Sequence, residues 1–131
     1  MKKKILLVAA LLSLVWNFFL VTAATLNVSS LLPHVAGGQF HSLPVGLRVT
    51  YGVQALVIIF QFFFIIRLYQ RSGAWSKTSF LLARIFLALS TLSAFVNVVS
   101  RSPVERWNAI AAAIIAYGFY VLAELNFRPS R

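Results

Sequence analysis

Four side chains in this 131-residue chain can act as a general base or as a metal ligand of the carboxylate or imidazole kind: Glu105, Glu124, His34 and His41. There is no aspartate and no cysteine, so thiolate nucleophiles, disulfides, zinc–thiolate sites and iron–sulfur clusters are excluded. The one catalytic grouping these residues allow is a His34 or His41 base oriented by Glu105. A metal site is a weaker fit, because zinc takes three or four ligands and the two histidines have only Glu105 to join them. The residues therefore predict a protein that is not an enzyme and that carries no catalytic residue, no cofactor and no metal.

The elements that must hold these groups are four apolar runs, about Ile5–Leu26, Val45–Ile66, Ser79–Val99 and Trp107–Phe127. Each approaches the roughly 20 residues that cross a hydrocarbon core about 30 Å thick. A chain that is 60% hydrophobic and 11% charged has too few polar groups to cover a water-facing surface. In lipid each run must be a helix, since a helix satisfies its own backbone hydrogen bonds. The expectation is an all-α fold: a single membrane domain of four transmembrane helices, with an outer loop over Asn27–Pro44.

The first run, after Lys2, Lys3 and Lys4, admits two readings. Val21-Thr22-Ala23 offers a small-residue cleavage pattern, but an uncharged stretch from Ile5 to Ala24 is long for a signal peptide, whose apolar region is about 7–15 residues. Ala10, Ser13 and Asn17 also lie on one helical face, a small and polar stripe suited to packing in lipid. A retained span is the favoured reading.

The net charge of +10 is concentrated at the ends of the runs rather than in a nucleic-acid-binding stripe. With the N-terminus inside, Lys2, Lys3, Lys4, Arg67, Arg71, Lys77, Arg128 and Arg131 face the cytoplasm, and Arg48, Arg101 and Arg106 face out. By the positive-inside rule this predicts a multi-pass protein of the bacterial inner membrane with both termini cytoplasmic. The basic inner face predicts contact with anionic lipid, and no nucleic-acid partner is expected.

Polar groups within spans are costly and are the first candidates for function. Arg84, Gln61 and Glu124 fall toward the inner ends of spans three, two and four. They form a candidate cluster, with Glu124 pairing with Arg84, or else Arg84 snorkels to the interface. Toward the outer face lie Arg48, Asn97, Arg101, Glu105 and Arg106. They could receive an anionic ligand, or pin the outer loop to the bundle; pinning is favoured, and Arg48 then needs a carbonyl, an anion or Glu105. Asn27-Val28-Ser29 matches a glycosylation acceptor, of use only in a eukaryotic secretory route. Ala109, Ala112, Ala116 and Ala123 make a small-residue face on the fourth span, suited to packing within the chain or against a protein partner or second copy.

"LPVGLRVTYG" entering span two and "NVVSRSPVERWN" between spans three and four resemble uncharacterised small four-helix integral membrane proteins of bacteria. That resemblance implies the four-helix layout and no activity. Small multidrug transporters are similar in size and span count, but they rely on a glutamate in the first span, where this chain has none. The functional expectation is a small interaction or accessory subunit. The alternative is small-molecule, lipid or ion binding or transport through the bundle at Arg84, Gln61 and Glu124.

Overall fold

The computed structural model describes residues 2–70, 74–123 and 128–129. Its helices are α1 (Lys2–Thr25), α2 (Val45–Gln70), α3 (Lys77–Val98), the single turn α4 (Pro103–Arg106) and α5 (Asn108–Ala123). α4 and α5 together form one apolar segment, so four segments are long and apolar enough to cross a membrane. At 1.5 Å per residue they run from about 31 to 39 Å, matching the hydrocarbon core.

The helix ends follow local chemistry. α1 stops at Asn27, which takes a left-handed conformation (φ 59°). There the N–H of Val28 reaches the Ala23 carbonyl and the N–H of Asn27 reaches that of Ala24. Both bonds belong to the glycine-type helix stop, here supplied by asparagine. Ser76 caps α3 by accepting from the Ser79 N–H at 3.1 Å. Ser102 caps α4 with Pro103 in the first turn, as the Ser-Pro-x-Glu pattern predicts.

α5 is the central helix. It packs against α1 on one side and α3 on the other, while α2 packs chiefly on α1. More than half of the last segment's apolar window is buried (56%), against 17% for α2 and for α3. The reason lies in its composition. Ala109, Ala112, Ala116, Gly118 and Ala123 are all buried and let neighbouring backbones approach. A Cβ on Gly118 would lie 3.1 Å from the Ala10 Cβ and 3.3 Å from the Ile65 Cδ1, so even a methyl group here would press its neighbours apart by a few tenths of an ångström. The small-residue face of the fourth span is thus taken up inside the chain.

The loop between α1 and α2 is folded into two short 3-10 turns, Ser29–His34 and Ala36–Gly38. Leu32, Val35 and Leu43 from this segment bury against Leu20 and Ala24 of α1, making a cap over one end of the bundle. At the opposite end Ala74–Trp75 pairs in parallel with Arg128–Pro129, a two-residue bridge. The chain end therefore returns beside the α2–α3 connection. Large apolar side chains such as Leu12, Phe19, Leu56, Phe63, Leu92 and Phe95 point outward around the bundle, the pattern lipid-facing helices require.

Candidate functional site

α2, packed chiefly on α1, and α3, packed on α5, make few contacts with each other. They meet through aromatic rings: Phe86 of α3 is 5.8 Å from Phe60 and 5.7 Å from Phe64 of α2. Phe119 of α5 completes the cluster, 5.5 Å from Phe86 and 6.4 Å from Phe64. On the cap side of this aromatic plug a cleft of about 390 Å³ lies between the two helices, with α1 and α5 behind it. That volume falls in the range of small-ligand sites, about 300–1,000 Å³.

The cleft is lined by Leu14 and Asn17 of α1, Thr50, Val53, Gln54, Val57, Ile58 and Gln61 of α2, Leu89, Ser90 and Ser93 of α3, and Ala112 and Ile115 of α5. None of these is charged. Helical spacing aligns the polar ones: Thr50, Gln54 and Gln61 share one face of α2, and Ser90 and Ser93 one face of α3. Thr50 returns its hydroxyl to the Gly46 carbonyl at 3.0 Å. The Asn17 amide donates to the Ser13 carbonyl at 3.1 Å, leaving its own oxygen open.

Two lining groups stand apart. Gln61 and Ser90 are each only 7% exposed, and neither makes a hydrogen bond to a described residue. Gln61 lies about 24 Å from the cap end of α2 and about 14 Å from the other, deep in the span. Among the described residues Thr22 Oγ1 alone is a buried side-chain polar atom without a partner, so the polar atoms of Gln61 and Ser90 open onto the cleft. An unpaired glutamine and an unpaired serine, both lining one cavity, mark where a ligand's polar groups fit.

The sequence-predicted clusters resolve differently. Gln61 lines the cleft with no bond to Arg84. Arg84 lies on an exposed part of α3, about 9 Å along the helix from Ser90, with its guanidinium over the Phe80 ring at 5.4 Å. Glu124 and its suggested pairing with Arg84 lie outside the described residues.

At the cap end the polar residues divide among separate partners. Arg48 donates through Nε to the Thr25 carbonyl at 2.9 Å, and Arg106 likewise to the Ser100 carbonyl at 2.9 Å. Glu105 accepts from the Gly37 backbone N–H at 2.8 Å and from the Ser100 hydroxyl. Arg101 is exposed and Asn97 half-buried, and neither side chain bonds to a described residue. No hydrogen bond joins these five side chains to one another, although Glu105 and Arg106 both bond to Ser100. His34 gives its backbone carbonyl to Asn108 at 2.9 Å, and among the described residues no three potential metal ligands cluster.

Sequence reasoning missed the cleft and one link of the cap. The signal for the cleft was the spacing of Gln54 with Gln61 and of Ser90 with Ser93, polar positions inside apolar runs. The missed link is Asn108, whose carboxamide oxygen accepts from the Trp16 indole at 3.2 Å while its amide holds His34. Comparison with protein-family models, curated proteins and solved structures returns no match for this chain.

Proposed function

We propose that this chain is a multi-pass protein of the bacterial inner membrane, both termini cytoplasmic, that works by binding rather than catalysis. In this reading the cleft between α2 and α3 receives its occupant from within the bilayer. The observation that carries it is the pair of buried, unpartnered groups, Gln61 and Ser90, facing a cavity of about 390 Å³. The aromatic plug at Phe60, Phe64, Phe86 and Phe119 closes the far end of the cleft, which favours holding a molecule over conducting one. Charge supports the orientation, since Lys2, Lys3, Lys4, Arg67 and Lys77 share the end opposite the cap, where anionic lipid headgroups would meet them.

An accessory role would fill the same cleft with a partner's helix. The cleft's walls span only about three turns of α2, from Thr50 to Gln61, and about one turn of α3, from Leu89 to Ser93, a short seat for a transmembrane helix. That argues for a small occupant. The test is purification in native-lipid particles, with the retained small molecules and proteins identified by mass spectrometry. Ser93→Trp, which places an indole at the cleft wall and obstructs it, should release a small molecule that the unaltered chain retains. Identical small-molecule profiles, or a protein released instead, would overturn the reading.

A further inference from the structure

We infer that the occupant of the α2–α3 cleft is an uncharged lipid bearing a carbonyl oxygen, held by the Gln61 amide and the Ser90 hydroxyl; this rests on the binding reading above. The argument starts from donors and acceptors. Gln61 brings two N–H donors and one acceptor oxygen, and Ser90 one rotatable donor. Both are nine-tenths buried without a partner among the described residues, and both line the same cavity. A carbonyl oxygen, with two lone pairs, can accept from both of these donors, one on each wall of the cleft. The amide oxygen of Gln61 is left to accept a hydroxyl where the ligand has one.

Charge narrows the class. No lining residue is ionisable, so a phosphate or carboxylate headgroup placed beside Gln61 would lose its hydration with no counter-charge. Access narrows it further. The rims of the cleft carry exposed Val53 and Leu89, which face the surrounding hydrocarbon, so the ligand must be at home in lipid. Two sources share this chemistry: the ester carbonyl of a diacylglycerol-like lipid and the ring carbonyl of a prenylated quinone.

The test uses the full chain in phosphatidylcholine vesicles with three diazirine-tagged probes: a diacylglycerol, a prenylquinone and a phosphatidic acid. The first and last differ in a hydroxyl against a phosphate. At least one neutral probe should label the Val53–Gln61 or Leu89–Ser93 segment ten times or more above phosphatidic acid, and which one does so identifies the source. Gln61→Leu should cut that labelling at least fivefold while leaving the thermal unfolding temperature unchanged or higher, because it replaces an unpaired amide with an apolar group of similar size. Ser90→Ala gives a second, smaller loss in a variant certain to pack. Equal labelling by phosphatidic acid, or full labelling of Gln61→Leu and Ser90→Ala, overturns the ligand class. If Ser93→Trp still abolishes that labelling, binding in the cleft stands and only the class falls. If no probe gives labelling sensitive to Ser93→Trp, the binding reading falls and takes this inference with it.

Discussion

The backbone N–H of Gly37 donates to the Glu105 carboxylate across 2.8 Å, joining residues 68 positions apart. The bond ties the second turn of the cap to the start of the last membrane segment. It works with Ser102, whose hydroxyl donates to the Pro33 carbonyl at 2.6 Å. Gly38 closes the fit: at φ +66°, it has its Cβ position filled by Ser102 and the Pro33 oxygen. Hydrogen bonds to a charged group contribute about 1.5–3 kcal/mol. Glu105→Ala should therefore destabilise the bundle by about that amount in thermal unfolding at fixed detergent. Glu105→Gln, which keeps an acceptor, should cost less than half as much. Unchanged unfolding in both variants would mean that buried Leu32, Val35 and Leu43 hold the cap unaided.

A steric prediction comes from the central helix. Gly118 faces Ala10 and Ile65 so closely that an added Cβ would lie 3.1 Å from the first and 3.3 Å from the second. Overpacking of this kind costs about 1–3 kcal/mol, so Gly118→Val should lower stability by about that amount and loosen the α1–α5 contact. Ala10→Gly should recover part of the loss, because the two positions touch. Full additivity in the double-mutant cycle would show that the strain falls on Ile65 instead.

The helices were legible because each is a property of its own stretch of chain. Twenty apolar residues in lipid have one regular solution, and the Ser102-Pro103 start and small-residue face of α5 are local too. The site was not legible in the same way. Whether Gln61 faces lipid, a neighbour or a cavity depends on which helices adjoin α2, and the bulk of "IIFQFFFII" carries no such information. The neighbours are set by α5, whose alanines draw α1 and α3 inward and leave α2 at the edge. Likewise the need of Arg48 for an oxygen partner could be read, but the choice of the Thr25 carbonyl depends on how α1 ends at Asn27. The histidines suggested loop chemistry, yet His34 is engaged through its backbone by Asn108, a residue that looked like part of an apolar run.

A stabilising change is available at Thr22. Its hydroxyl oxygen is buried with no hydrogen-bond partner, although the equivalent group of Thr25 returns to the Val21 carbonyl at 2.8 Å. Leaving such a group unsatisfied costs about 1–3 kcal/mol. Thr22→Val removes it at nearly constant volume and should raise stability by about 1 kcal/mol, seen as a higher unfolding midpoint. A fall in stability would reveal that the hydroxyl holds a water or lipid oxygen in the membrane.

The proposed orientation makes the remaining prediction. The cap and the α2–α3 connection lie at opposite ends of the bundle, and Arg128–Pro129 pairs beside the latter at Ala74–Trp75. Basic residues crowd that second end, and moving them across a membrane is opposed, so it should face the cytoplasm. The native chain has no cysteine, which allows one reporter at a time. Ser42→Cys sits on the cap, where Ser42 is exposed and accepts a bond from the Asn27 amide at 2.9 Å. Ser130→Cys reports the chain end. In intact cells an impermeant thiol reagent should modify the first and spare the second, and lysis should expose both. Reversed labelling would invert the topology, placing the basic end and its proposed anionic-lipid contact outside. The cleft would then lie toward the inner leaflet, since it sits on the cap side of the aromatic plug.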